Sequence, residues 1–375
     1  MHSQDRLAIF IPALYGGGAE RTMLNLAHGI ADRGYKVDLI LAQAEGPYMS
    51  EIHGNIRIVD LGKGRIVDRN RTLKRLPSLV QYLREEQPTA LLSALSRANL
   101  AAVWARKLAG SPKRVVINEQ NTVSKVSANS TSRVAHMAPF IYRYFYRWAD
   151  SVIGVSKGVV DDLVQAVGVP QRLVKVIFNP GITPELREKA QAPLDHPWFQ
   201  EGEPPVILAV GSLTVQKDFP TLLRAFAQIR RNRLVRLLIL GEGPERKKLE
   251  ELVTELSIDE DVSIPGFVDN PYPYMVRASV FTLSSLWEGL PTVLVEALYC
   301  GAPIVATDCP SGPREILRNG DIGRLVPVGD PKALAESITE AVDGKVPRPP
   351  VESWQPYTIE KVVDQYIDVL LTNLT

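Results

Sequence analysis

The run Trp287-Glu288-Gly289-Leu290-Pro291-Thr292-Val293-Leu294-Val295-Glu296-Ala297-Leu298 sets two carboxylates, Glu288 and Glu296, around the start of a helix. Pro291 stands where a first helical turn tolerates its fixed φ and missing N–H, and Gly301 followed by Pro303 ends the segment. In that setting Gly289 and Leu290 offer backbone amides to an anion. Glu288 and Glu296 are each able to accept hydrogen bonds from the hydroxyls of a bound ligand. Two other glycine-bearing turns share the theme. Gly211-Ser212-Leu213, followed by Gln216-Lys217-Asp218, closes an apolar run, and a lysine at such a turn reaches a diphosphate as a point charge. Gly16-Gly17-Gly18-Ala19-Glu20-Arg21 lies between an apolar run and a helical stretch, where both a tight turn and a phosphate site fit. Neither turn spells G-x-G-x-x-G or the P-loop pattern, which argues against a nicotinamide-dependent oxidoreductase and a P-loop ATPase.

These turns need strands that end where helices begin, and the chain supplies them twice. Apolar runs at 7–12, 37–42, 56–61, 115–118 and 151–155 alternate with helical spacing at 19–33, 73–86 and 97–108. From 179 to 205 the pattern gives way to Pro180, Pro184, Pro193, Pro197, Pro204 and Pro205, which predicts a linker over 181–205. Strands then recur at 206–210, 234–240, 262–264, 280–283 and 303–306, with helices at 219–230 and 245–256. At 375 residues the chain exceeds the size at which one core stops growing. The expectation is an α/β protein of two doubly wound parallel-sheet domains, 1–180 and 206–357, facing across a cleft. A final helix at 358–375 is expected to pack back on the first domain. Ligands then belong at the strand C-termini.

Composition narrows the setting. Net charge is only +1, yet residues 1–180 carry 24 Lys and Arg against 14 Asp and Glu, while the remainder carries 19 against 28. The first half is thus expected to face anionic partners. No apolar run approaches the length of a bilayer span, and the two cysteines, Cys300 and Cys309, suit free thiols in a reducing compartment. No Cys/His spacing suggests zinc, and Asp259-Glu260-Asp261, although it spells D-x-D, reads as a solvated turn.

The segment from Trp287 to Leu298 resembles glycosyltransferase family 4, together with Gly241-Glu242-Gly243-Pro244, Gly266-Phe267-Val268 and Ser311-Gly312-Pro313-Arg314-Glu315-Ile316-Leu317. The opening glycine motif and the Asn179-Pro180 turn extend the resemblance over nearly the whole chain. It implies the GT-B fold and a retaining transfer from a nucleotide-diphosphate sugar, UDP-linked by family tendency, with neither a metal nor another cofactor. By the same resemblance Gly17 and Gly18 approach the donor phosphates, with Gly211 and Ser212 beside them. Lys217 binds the diphosphate, the backbone at Phe267 and Val268 holds the base, Glu288 contacts the transferred sugar and Glu296 the ribose. Glu288 and Lys217 are the expected catalytic residues, with Gly289, Leu290 and Pro291 completing the donor site.

Two positions depart from the family pattern. Ser212 stands where many relatives have arginine, leaving the diphosphate to Lys217, backbone amides and Arg314. In the loop Asn118-Glu119-Gln120-Asn121-Thr122, Gln120 takes the place of an active-site histidine. Glu119, Gln120 and Asn121 are the acceptor-side candidates, while His2, His28, His53, His136 and His196 match no motif. A front-face transfer tolerates the missing base, because the leaving diphosphate takes the acceptor's proton.

Basic residues Lys63, Arg65, Arg69, Arg71, Lys74 and Arg75 form one cluster. Arg133, Arg143 and Arg147 interleave with Phe140, Tyr142, Tyr144, Phe145, Tyr146 and Trp148 in another. Both compositions suit a lipid headgroup boundary, with a solvated loop and a packed core helix as the respective alternatives. No nucleic-acid motif accompanies them, and no nucleic-acid partner is expected. The reading is a cytoplasmic, membrane-peripheral hexosyltransferase that extends a lipid-linked glycan or surface-polysaccharide precursor. Its rivals are a non-catalytic nucleotide-sugar-binding partner and a soluble sugar-phosphate glycoside synthase.

Overall fold

A computed structural model describes residues 5–62, 72–130 and 132–372. The chain forms two compact units, one from Met1–Pro180 with Tyr357–Thr375 and the other from Gly181–Pro356.

The first unit is built on a parallel sheet of seven strands: β1 (Arg6–Ile11), β2 (Lys36–Leu41), β3 (Ile56–Asp60), β4 (Ala90–Ala94), β5 (Arg114–Glu119), β6 (Ser151–Gly154) and β7 (Val174–Val176). Their order is β3-β2-β1-β4-β5-β6-β7, so the winding reverses between β1 and β4. Strands of this sheet that are covered on both faces read as continuous apolar runs, and β1 is buried from Leu7 to Ile11. The helix Gly18–Asp32 packs beside the C-terminal helix Ile359–Leu371. The latter buries Val362, Val363, Tyr366, Val369 and Leu370, a single helical stripe, in the core of this unit. Gly29 makes the close approach possible, since a Cβ there would lie 2.5 Å from Val363 Cγ2. Arg33 Nε donates to Asp364 at 2.6 Å, and Arg114 Nε to the Val369 carbonyl at 2.6 Å.

The second unit carries six parallel strands: β8 (Val206–Val210), β9 (Arg236–Leu240), β10 (Val262–Gly266), β11 (Val280–Leu283), β12 (Ile304–Thr307) and β13 (Arg324–Val326). The order β10-β9-β8-β11-β12-β13 is the same winding, reversing between β8 and β11. The segment 181–205, expected as a linker, belongs to this unit. Thr183 caps a short helix, Pro184–Lys189, by accepting from the Leu186 amide at 3.3 Å. Ile182 and Leu186 are buried, and Asn270 Nδ2 donates to the Lys189 carbonyl at 2.9 Å. Here the prolines stiffen a packed segment, with Pro184 at the first helical turn where its lost N–H costs nothing.

Candidate active site

In the second unit the loops that follow β8 and β11 meet at the point where the winding reverses. Lys217 ends a 3₁₀ turn, Val215–Lys217, and Asp218 then enters the helix Phe219–Arg230. Lys217 Nζ lies 2.6 Å from Glu288 Oε1 in the opposite loop. Ser285 Oγ donates to the same oxygen at 2.7 Å, and Gln216 Nε2 donates to Oε2 at 3.2 Å. The loops are also laced by backbone. The Leu286 amide donates to the Gln216 carbonyl, Gln216 Nε2 to the Trp287 carbonyl, and Ser284 Oγ to the Lys217 carbonyl, all within 2.9 Å. The Lys217 and Glu288 side chains are 14% and 7% exposed. A charge pair so shielded interacts far more strongly than on the surface, and the surrounding donors fix its geometry.

Pro291, expected at the first helical position, is the N-cap of the helix Thr292–Cys300, which begins one residue later. Glu296 therefore sits on the second turn, half-buried. Gly289 and Leu290 are buried, and the Gly289 carbonyl accepts from Ser311 Oγ at 2.8 Å. Gly312, at φ +90°, lets the following loop press on this one, since a Cβ there would meet Pro291 Cδ at 2.5 Å. A chain of amides continues the rim across the other strands. Gly211 N–H donates to the Leu240 carbonyl, Leu213 to Glu242, and Gly241 to Gly266, at 2.8–2.9 Å. A Cβ on Gly241 would lie 1.9 Å from the Gly211 carbonyl oxygen, so only glycine fits. Ser212 is exposed, and Phe267 and Val268 follow β10 at the sheet's edge, with Phe267 exposed. Arg314 is held in a bidentate pair by Asp308.

In the first unit the corresponding rim is made of amides. Gln120 Nε2 donates to Asn118 Oδ1 at 2.5 Å, and Asn179 Nδ2 donates to Gln120 Oε1 at 2.7 Å. Asn118 Nδ2 in turn donates to the Tyr366 hydroxyl of the C-terminal helix at 2.6 Å. Asn121 turns its oxygen to the Thr122 amide at 3.0 Å. Glu119, expected among the acceptor-side residues, points inward because strand residues alternate faces. It is 2% exposed and accepts from Asn99 at 3.0 Å, from Ser96 at 3.1 Å and from the Tyr146 hydroxyl. Burial pushes its carboxyl up to about 7, against the pull of those donors. At the opening glycine turn, Glu20 Oε2 accepts from the Gly17 amide at 2.6 Å. An anion seated on Gly17 must therefore displace a carboxylate first, and the turn reads as a helix cap. Gly18 is the first residue of the helix and is exposed.

Comparison with known proteins decides the family. A model of Glycosyltransferase Family 4 matches residues 16–183, and one of Glycosyl transferases group 1 matches 194–359. The chain is 31% identical over 341 residues to a Campylobacter jejuni N-acetylgalactosamine-N,N'-diacetylbacillosaminyl-diphospho-undecaprenol 4-alpha-N-acetylgalactosaminyltransferase, covering 89% of each. The chain belongs to the family 4-like glycosyltransferases. This glycosyltransferase is also 27% identical to the Rhizobium meliloti lipopolysaccharide core biosynthesis glycosyltransferase LpsE, over 87% of the chain and 86% of the relative. Its fold is that of Anabaena HepE, solved in complex with UDP and glucose, with a TM-score of 0.76 at 20% identity, covering 98% of this chain and 99% of that one.

Within the glycosyltransferase, the structure brings together Lys217, Glu288, Gly211 and the loop 289–291, while Glu296 stands one helical turn further on. The sequence reading missed Gln216 and Ser285 as partners of Glu288, and Asn179 as the partner of Gln120. The adjacent Ser284-Ser285 at the end of an apolar strand was the available signal. Asp259 and Asp261, the outer residues of the D-x-D, are engaged locally by Thr254 and Arg230. Lys63, Arg65, Arg69 and Arg71 lie outside the described residues. Among the described residues, no helix is long and apolar enough to cross a membrane.

Proposed function

We propose that this glycosyltransferase moves a hexose or N-acetylhexosamine from a UDP-linked sugar to a lipid-linked oligosaccharide or surface-polysaccharide precursor, with retention and without a metal ion. The observation that carries the reading is the Lys217–Glu288 pair, held at the winding reversal of the second sheet. The Campylobacter relative, which matches most of the chain, is named for an undecaprenol-linked acceptor, and this supports the acceptor class.

In this reading the diphosphate lies along the loop that follows β8, with Lys217 Nζ donating to its oxygens. Glu288 accepts hydrogen bonds from the sugar's hydroxyls and Glu296 from the ribose. The bond from C1 to the diphosphate oxygen breaks, and the acceptor oxygen bonds C1 on the same face. The acceptor proton passes to a diphosphate oxygen. Negative charge grows on the leaving group, and a preorganised lysine stabilises it more in the transition state than in the ground state. Gln120 and Asn179 offer neutral amides that orient acceptor hydroxyls without taking a proton. The acceptor's lipid tail brings the basic first unit to a membrane surface.

The test incubates the protein with a panel of nucleotide sugars and a lipid extract, with and without chelator, beside Lys217→Ala and Glu288→Ala. Expected is lipid-stimulated nucleotide release from one UDP-sugar, insensitive to chelator and lost in both variants, with the donor's anomeric configuration kept in the product. Donor binding without release across acceptors would favour a non-catalytic partner instead.

A further inference from the structure

Between residues 120 and 149 the sequence contains no Asp or Glu. The structure folds most of this stretch into three short helices packed together, Val123–Ala128, Arg133–His136 and Ala138–Phe145. Exposed apolar side chains gather there. Of the fifteen large hydrophobics exposed among the described residues, five fall between 126 and 144. They are Val126, Val134 at 72%, Met137 at 57%, Phe140 at 73% and Tyr144 at 61%. Within Ala138–Phe145, Phe140 and Tyr144 stand one turn apart on one face, and Met137 is the cap that precedes them. Lys125, Arg133, Arg143 and Arg147 are all exposed around them.

The opposite face anchors this element firmly. Tyr142 stacks on Tyr146 with ring centroids 4.9 Å apart, and the buried Tyr146 hydroxyl donates to Glu119. Phe145 packs edge-on against Trp104 and Trp148. The exposed stripe is thus the outer face of a rigid support tied to the end of β5, next in sequence to Gln120. A free-standing apolar patch on a soluble surface calls for an occupant.

We infer that this face docks on an anionic lipid surface, with Phe140, Met137, Tyr144 and Val134 entering the headgroup boundary and Arg133, Arg143 and Arg147 meeting lipid phosphates. Charge complementarity decides for lipid. A symmetric pairing of two copies would bring the same unneutralised arginines together, and a base-reading surface does not centre on aliphatic and aromatic tips. The inference rests on the lipid-acceptor reading above and names the surface through which it operates. Docking there would set the Gln120 rim beside the bilayer from which the acceptor projects.

The experiment floats the full chain with vesicles of phosphatidylcholine alone and with vesicles of equal parts phosphatidylglycerol and phosphatidylcholine. Phe140→Asp with Tyr144→Asp, and Arg143→Glu with Arg147→Glu, are run beside it. All four positions are exposed, and circular dichroism with UDP binding verifies folding. The wild type is expected to bind the anionic vesicles at least about tenfold better than the neutral ones. The aspartate pair should lose at least about tenfold at every salt concentration, and the glutamate pair chiefly at low salt. Wild-type binding that survives both pairs, or no vesicle binding at all, overturns the proposal. So does a wild-type dimer made monomeric by the aspartate pair without vesicle binding. Transfer to a short water-soluble acceptor, measured in parallel, keeps the two readings apart. A wild type that floats but transfers no sugar retains the docking surface and sinks the activity.

Discussion

Lys217 and Glu288 stand 71 positions apart in the sequence and 2.6 Å apart in the fold, joined by loops from adjacent strands of one sheet. The pair gives the second unit a shielded positive charge whose position is fixed by a carboxylate, and a carboxylate whose oxygens are aimed by Ser285 and Gln216. Neither residue is independent of the other.

In the proposed transfer Lys217 stabilises the charge that grows on the leaving diphosphate, so Lys217→Ala is expected to lower kcat by about 10²–10³. Glu288→Ala should lower it comparably and also destabilise the second unit by about 3 kcal/mol, because it leaves a shielded ammonium unpaired. The double variant should be more stable than Glu288→Ala alone. Urea unfolding and nucleotide release on the same preparations check both statements. Additive losses in stability would contradict the coupling.

Gly241→Ala is expected to disrupt the second unit. The added Cβ meets a backbone oxygen at 1.9 Å, and backbone cannot rotate away as a side chain can. Gly243→Ala meets the Leu213 carbonyl at 2.4 Å and should behave alike. Losses above about 3 kcal/mol are expected, in the range of severe overpacking with lost backbone pairing. Thermal unfolding followed against Gly344→Ala provides the comparison: nothing stands within 4 Å of the new Cβ there, so only the cost of its left-handed φ of +73° remains, about 1–2 kcal/mol.

The paired α/β winding was legible because strands such as Val206–Val210 and Arg236–Leu240 are rich in Val, Leu and Ile and are followed directly by glycine. Three strands were not. β4, Ala-Leu-Leu-Ser-Ala, is alanine-rich and carries little strand propensity of its own, yet it lies buried at the centre of the first sheet. β7 and β13 span three residues each, too short to show a period. Segment 181–205 misled because proline content marks rigid, packed chain as readily as linker. The site divided along the same line. Lys217 and Glu288 sit in local patterns that advertise loops between strand and helix, whereas their pairing depends on strand order. Gln120 and Glu119 are neighbours of opposite fate: the pleat of β5 turns Glu119, its last residue, inward, and Gln120 follows the strand's end.

Glu119 should leave a signature in the pH dependence of stability. Its carboxyl is raised by burial from the ordinary 4.5 to about 7. The folded chain therefore holds this proton to higher pH than the unfolded chain does. The contribution is complete below about pH 4.5 and is lost as pH rises through about 7, an effect on the order of 3 kcal/mol. Glu119→Gln keeps an oxygen for Tyr146 and Asn99 and carries no charge. The difference in urea midpoint between wild type and variant should shift in the variant's favour from pH 5 to pH 8. A difference that stays constant over that interval would show that Glu119 does not ionise there.

Gln120 and Asn179 exchange amide hydrogen bonds, and in the proposed transfer the exchange has a kinetic consequence. Asn179 is 3% exposed, so Gln120→Ala strands a buried amide at a cost of about 1–3 kcal/mol. In the proposed transfer the same variant loosens the acceptor's hydroxyls while leaving the donor loops of the second unit untouched. The acceptor KM is expected to rise roughly tenfold, with UDP affinity and the slow hydrolysis of the donor by water unchanged. Gln120→His should keep acceptor binding but add an acid limb near pH 6.5 to a rate profile that lacks one in the wild type, since imidazolium cannot accept the hydroxyl's hydrogen bond. A wild-type profile already bearing that limb would assign the proton to another group, and the amide pair would then be scaffold alone.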